Sequence, residues 1–207
     1  MIGRIQADGI VDLGDFIRTA PDVAKQAASL AINTVAKGTG FTRIKRAMED
    51  EIAFPAGYLS GDRLGVGQTA TPNNLMAVIV GRKRATSLAR FASSTDFPGS
   101  KSQGVTVRVQ KGKSSYLKNA FLVRLKKGAS ISEDNYNVGL AVRLAPGETI
   151  NNKRTSHRAW LVPGKVALLY GPSVDQVFAT VADDLAQPLA DMTSDEFFRQ
   201  FARLTNG

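Results

Sequence analysis

The segment 165–178, KVALLYGPSVDQVF, constrains the fold of this 207-residue chain more than any other. Residues 166–170 are a continuous apolar run of the length of a buried strand. Gly171 and Pro172 then predict a corner, because glycine reaches backbone conformations closed to other residues and proline has no N–H to donate to a strand ladder. Ser173 is predicted to cap a helix whose apolar residues recur at helical spacing: Val174, Val177, Phe178, Val181 and Leu185. A strand, a corner and a helix are therefore predicted here, without a catalytic group.

Two helices are predicted near the start of the chain. The first covers 21–37 and ends at Gly38, with an alanine-rich stripe formed by Val23, Ala27, Leu30, Ala31 and Val35. The second covers 42–53, with Ile44, Met48 and Ile52 on its buried face. Its charges oppose the helix dipole, because bases precede acids in the order Arg43, Lys45, Arg46, Glu49, Asp50 and Glu51. This order indicates either a solvated face or a basic end that meets an anion or a carbonyl-rich surface.

A block of strands is predicted after these helices, at 75–80, 105–110, 116–125, 138–144 and 166–170, with 58–66 as strand or turn. Long exposed loops are predicted at 85–104 and 145–159. Pro188 is predicted to end the helix after the corner, and 193–196 to form a capping box for a last helix with the apolar face Phe197, Phe198, Phe201 and Leu204. Segregated helices and strands predict a single α+β domain over 1–207, an antiparallel sheet flanked by N-terminal and C-terminal helices.

Composition excludes several classes of protein. The chain has no cysteine, which excludes disulfides, thiolate chemistry and cysteine-type zinc sites. No apolar stretch reaches about 18 residues, so no membrane span is predicted. The first residues show no basic-then-apolar signal pattern, so we expect no export.

The net charge of +9 is unevenly distributed along the chain. Residues 166–207 contain six acids and two bases, whereas residues 1–165 contain 25 bases and 12 acids. A basic body with an acidic C-terminal helix is compatible with nucleic-acid contact, with head-to-tail contact between subunits, or with solubility alone.

No catalytic constellation is visible in the sequence. The single histidine, His157, lies in a polar basic loop, and Ser173 is better explained as a helix cap than as a nucleophile. The glycines of 61–67 lack phosphate-loop spacing, and the acids occur as consecutive residues rather than as a metal-ligand set. We expect neither an enzyme nor a cofactor or metal ion.

Basic residues cluster at predicted strand ends and loops, where they are candidates to face DNA or a partner: Arg82, Lys83, Arg84, Lys126, Lys127, Lys153 and Arg154, with Lys111 and Lys113 between them. No motif that reads bases accompanies them, so contact with DNA would be to the backbone and independent of sequence.

Several short motifs occur in an order that resembles the phage minor tail protein Z family, the tail completion or neck proteins of tailed phages. They are the alanine-rich stretch 28–33, the basic stretch 43–46, the strand NAFL at 119–122 followed by Lys127 and Gly128, the strand ending in Val142 and Arg143, and LYGPSV at 169–174 with the terminal helix. The resemblance covers most of the chain except 85–104 and 145–159.

The resemblance implies a structural virion protein, located in the tail or neck and assembled in the host cytoplasm. It would form a homo-oligomeric ring of about six copies, with about twelve as the alternative, around the DNA channel. Other neck, portal or tail proteins would be partners, in a long-tailed phage or as an adaptor in a short-tailed one, and no membrane is involved. The expected subunit or partner interface comprises Val174, Phe178, Asp183, Asp184 and Phe121. The alternatives are a free, sequence-independent nucleic-acid-binding protein and an unrecognised enzyme.

Overall fold

The computed structural model describes residues 22–93, 104–125, 137–146 and 166–205. These residues form two compact units. Unit 1 contains the described residues up to 50, together with 57–83 and those from 174 onward. Unit 2 contains 51–56 and the described residues of 84–173. The prediction of a single domain stays a prediction.

The described residues of unit 1 form three helices and one two-stranded antiparallel sheet. The helices are α1 (Asp22–Lys37), α2 (Thr39–Glu51) and α3 (Val174–Thr205), and the strands are β1 (Leu64–Gln68) and β2 (Val78–Gly81). Gly38 alone separates α1 from α2, as the sequence predicted for the end of α1.

Unit 2 is built from short antiparallel strands. A four-stranded sheet has the order β3 (Ala85–Ser87), β8 (Val166–Ser173), β7 (Val138–Arg143) and β6 (Ala120–Arg124), and β4 (Val105–Val107) pairs separately with β5 (Ser115–Leu117). Helices therefore precede and follow a block of antiparallel strands in chain order. The predicted α+β fold is confirmed.

The alanine-rich face of α1 packs against α3 in unit 1. Ala24, Ala27, Ala28 and Ala31 are at most 1% exposed and form a cluster with the equally buried Phe197. The stripe predicted from the sequence is rotated slightly from the observed one, because Val23 is exposed and Leu30 is only half-buried. Small side chains at this contact allow the two helix backbones to approach each other closely.

The core of unit 2 includes a segment that the sequence predicted as exposed loop. Residues 85–91 form β3 and a short 3-10 helix, Leu88–Phe91, whose Ala89 and Phe91 are buried. Phe91 packs against Phe54, with the ring centroids 5.9 Å apart. The loop prediction for 85–104 is therefore wrong for its first part, because Phe91 supplies a core side chain there. Residues 94–103 and 147–159 lie outside the described residues.

The predicted corner at Gly171 and Pro172 is part of strand β8, so the prediction that the ladder stops there is wrong. Thr86 pairs with Gly171 and Ala85 pairs with Ser173, which leaves Pro172 as the extra residue of a β-bulge. A bulged residue donates no ladder hydrogen bond, so proline is tolerated at this position. Ser173 is buried and lies immediately before α3, in the N-cap position that the sequence predicted.

Helix α3 is continuous through Pro188, so the prediction of two helices separated at this residue is wrong. Proline removes the N–H that would donate to the carbonyl of Asp184, and because Asp184 is exposed, water can hydrogen-bond that carbonyl. Leu185 and Leu189 are buried on either side of Pro188 and fix both halves of the helix to the core.

The predicted capping box at 193–196 lies inside α3 and makes different hydrogen bonds. The Thr193 hydroxyl donates to the Leu189 carbonyl at 2.7 Å. The Glu196 carboxylate accepts hydrogen bonds of 2.6–2.7 Å from Arg199 and of 2.6 Å from Gln200, and its side chain is only 13% exposed. The Arg199 hydrogen bond is the main reason that the pKa of Glu196 falls from 4.5 to about 2, with Gln200 and Thr34 of α1 contributing.

Replacing Gly81 by alanine should destabilise unit 1 by about 1–3 kcal/mol. A Cβ at Gly81 would lie 2.9 Å from both the Cα and the N atom of Asp175, which are backbone atoms at the start of α3. Gly65 on the paired strand is the matched control, because a Cβ there would have its nearest neighbour at 3.4 Å. Urea unfolding measures both variants, and equal losses for Gly81→Ala and Gly65→Ala would contradict the close approach of β2 to α3.

Replacing Glu196 by glutamine should lower stability in a pH-dependent way. Because the folded-state pKa lies below the ordinary value, the ionised carboxylate stabilises the fold above about pH 4.5, and this stabilisation is lost as the pH falls toward about 2. The difference in unfolding free energy between the parent chain and Glu196→Gln should therefore be largest above about pH 4.5 and shrink below it. Urea unfolding from neutral pH to about pH 2 measures this difference in unfolding free energy. If it is the same at every pH, ionisation of Glu196 does not stabilise the fold.

Candidate functional site

The three consecutive bases Arg82, Lys83 and Arg84 have different environments. The backbone of Arg82 is fixed on both sides, because its N–H donates to the Arg63 carbonyl at 2.8 Å and its carbonyl accepts the Asp175 N–H at 3.2 Å. Lys83 and Arg84 are exposed. The position of Arg82 follows from the end of β2, which brings the chain directly against the first turn of α3.

The Arg82 side chain belongs to a cluster around a fully buried tyrosine, Tyr58. Its Nη2 donates to the Tyr58 hydroxyl at 2.7 Å, and its Nη1 lies 3.8 Å from a carboxylate oxygen of Asp62. The Arg63 guanidinium lies 4.5 Å from the centroid of the Tyr58 ring, a cation–π distance. Asp62 is 81% exposed, so its ion pair with Arg82 contributes little to stability. Arg82 is therefore an anchor of the 57–63 loop, although its buried Nε has no hydrogen-bond partner among the described residues.

The remaining described basic candidates lie in unit 2. Burial raises the pKa of Tyr170, and the positive charge of Arg84 partly offsets this rise. Lys111 and Lys113 are exposed on either side of Gly112, in the turn between β4 and β5. Gly112 has a φ of 76°, in the left-handed region that favours glycine. Lys126, Lys127, Lys153 and Arg154 lie outside the described residues. Their predicted role stays a prediction.

The predicted interface residues on α3 fall into two groups. Val174 and Phe178 are at most 1% exposed, so we reassign them from a partner interface to the core. Asp183 and Asp184 are both exposed, as an interface requires. Phe121 on β6 is half-buried, and the Arg143 guanidinium lies 5.1 Å from its ring centroid.

Helix α3 presents an exposed acidic face, which we define by Asp184, Asp191, Asp195 and Phe198. Asp191 and Asp195 follow Asp184 by about two and about three helical turns, so the three carboxylates align along one side of the helix. The Phe198 side chain is 60% exposed at the end of this line. The sequence predicted Phe198 in the core, and that prediction is wrong: Phe197 takes the buried position, and its ring meets the Phe198 ring edge-on at 5.3 Å.

Helix α2 ends in an acidic turn, and we call the exposed Arg43 and Arg46 that precede this turn the basic end of α2. The acids of the last turn oppose the helix dipole, as the sequence predicted, but the helix begins at Thr39, so the arginines lie beyond its first turn, where the dipole has little effect. Lys45, between the two arginines, lies with its ammonium 5.7 Å from the Phe41 ring centroid. The exposed arginines remain accessible to an anionic group.

The sequence contained a signal for the acidic face that the prediction of a helix end at Pro188 concealed. Splitting the helix there separated Asp184 from Asp191 and Asp195, whereas a continuous helix puts them in register. The cluster of Arg63, Arg82 and Tyr58 had no such signal, because its members come from a loop and from the end of β2 and meet only in the folded chain.

The described part of the chain shows neither a metal-ligand cluster nor a candidate membrane-spanning helix. Within the described ranges, no group of three or more His, Asp or Glu side chains is placed to hold a metal ion. No helix in the described part of the chain is long and apolar enough to cross a bilayer.

Comparison of the chain with protein-family models, with curated proteins and with solved structures gives no match.

Replacing Arg82 by alanine should cost about 1.5–3 kcal/mol of stability, because a charge-assisted hydrogen bond to a buried tyrosine is lost. Lys83→Ala is the matched control: its side chain is exposed, and we expect a change within about 0.5 kcal/mol. Arg82→Lys should fall between them, since it keeps the charge but loses the planar fork. Urea unfolding measures all three. A loss for Lys83→Ala equal to that for Arg82→Ala would contradict the anchoring role.

Proposed function

We propose that this chain is a structural virion protein of a tailed phage, a neck or tail completion component that forms a ring and joins tail to head around the DNA channel. The observation that carries the proposal is the separation of charge on exposed surfaces. Exposed acids follow one another along one side of α3, exposed bases occur after β2 and in the β4–β5 turn, and α2 carries exposed bases before its acidic last turn. A subunit with separate acidic and basic surfaces can associate head to tail with identical copies.

The motif order described above supports the same proposal. The motifs on 119–122, 142–143 and 169–174 fall on β6, β7 and the junction between β8 and α3, so they belong to regular elements rather than to loops. In a ring, exposed bases such as Lys83 and Arg84 would face the DNA channel or another neck, portal or tail protein. The particle, assembled in the host cytoplasm, is the proposed location.

A free nucleic-acid-binding protein is the second candidate, and the exposed lysines favour it. Lys83, Lys111 and Lys113 all lie at strand ends or in turns, where backbone phosphates are accessible. Such a protein needs no assembly with identical copies. Its affinity for DNA would fall steeply as salt displaces it from the phosphates.

The mass of the purified protein in solution distinguishes the two candidates. It should be measured by sedimentation at low and high salt, with and without duplex DNA. A ring of about six or about twelve copies, or a monomer that ignores DNA and is incorporated only into tails, supports the virion component. A monomer that binds duplex DNA tightly at low salt and releases it at high salt contradicts the virion proposal and supports the binding protein.

A further inference from the structure

We propose that the acidic face of α3, formed by Asp184, Asp191, Asp195 and Phe198, docks on the basic end of α2, formed by Arg43 and Arg46, in a second copy of this chain. This inference rests on the proposed assembly into a ring and names the surfaces that make the contact. Both surfaces belong to unit 1.

The first argument comes from the acidic face. Its carboxylates are exposed along one side of α3, and the opposite side carries the buried Phe197. Asp191 accepts a hydrogen bond from Gln187 at 2.8 Å, and neither Asp184 nor Asp195 takes part in an ion pair within the described part of the chain. A large aromatic ring at the end of an acidic line is typical of an interface anchor surrounded by charges that select the partner.

The second argument comes independently from α2. Arg43 and Arg46 are both exposed and lie one helical turn apart, so a carboxylate from outside can pair with both guanidinium groups. Across the described ranges, no ion pair engages Arg43 or Arg46. A negative line on one exposed helix and an unneutralised basic end on another are complementary in charge, and the chain itself supplies both. This complementarity identifies the occupant as a second copy.

The proposed contact joins two different surfaces, so it can be repeated from one copy of the chain to the next. Because the two surfaces differ, each copy would offer its acidic face to one neighbour and its basic end to the other. A heterologous contact of this kind closes into a ring when the rotation between neighbours permits.

Charge reversal on each surface tests the contact. Asp184→Lys with Asp195→Lys makes the acid-reversed variant, and Arg43→Glu with Arg46→Glu makes the base-reversed variant. All four side chains are exposed, so both variants should fold. Each alone should self-associate at least about tenfold more weakly than the parent chain, because like charges then face each other.

The decisive measurement is the assembly of the two variants when they are mixed. In an equimolar mixture the lysines of one variant meet the glutamates of the other, and the remaining arginines meet the remaining aspartates, so both contacts are restored. Assembly should therefore return in the mixture and should weaken with added salt. Lys113→Glu with Lys118→Glu is the matched control for charge change, since both lysines are exposed in unit 2. This control should assemble like the parent chain.

Replacing Phe198 by serine tests the anchor separately. The ring is mostly exposed and loses only its edge contact with Phe197, so the melting temperature should fall slightly while self-association weakens at both low and high salt. Sedimentation measures every variant. An assembled parent chain with equally well assembled reversed variants overturns this contact and leaves the proposed virion function standing. A parent chain that stays monomeric in solution overturns the contact, and if that monomer is also absent from tails, the proposed function fails with it.

Discussion

The packing of the alanine face of α1 on Phe197 of α3 determines what the rest of unit 1 can present to solvent. Methyl side chains allow the helices to approach closely, and the single large ring fills the remaining space. Once Phe197 points inward, the rotation of α3 about its own axis is fixed. The carboxylates on the opposite side, and Phe198 beside them, must then be exposed. Burial of one face therefore creates the acidic face, although none of its carboxylates takes part in that packing.

The start of α3 is constrained by a second close contact, between backbones. The carbonyl of Arg82 accepts the Asp175 N–H, and Gly81 leaves no side chain between β2 and the first turn of the helix. This contact explains why the consecutive bases Arg82, Lys83 and Arg84 have different environments. Arg82 is held against Tyr58 and supports the fold, whereas Lys83 remains exposed and available to a partner or to DNA.

The fold class and most elements were predictable because they depend on local patterns. Helices α1 and α2 follow from apolar spacing and Gly38, and the strands follow from short β-branched runs between turns. The errors occurred where a local rule met a tertiary constraint. Pro172 is accommodated in a bulge and Pro188 inside a helix, because neighbouring pairs and buried leucines hold the backbone on both sides. Of the residues predicted to face a partner or DNA, Asp183, Asp184 and Lys83 are exposed, whereas Val174 and Phe178 are buried, and their roles stay predictions.

The sequence by itself determined the charge of each segment, the absence of cysteine chemistry and the order of helices and strands, since these follow from composition and short-range periodicity. Only the tertiary structure decided that α3 is one helix, that Phe197 is buried while Phe198 is exposed, and that Arg82 reaches a buried tyrosine. The physical reason is that a side chain's environment depends on residues distant in sequence. Adjacent residues with the same chemistry, such as Phe197 and Phe198 or Arg82 and Lys83, can be distinguished only by what packs against them.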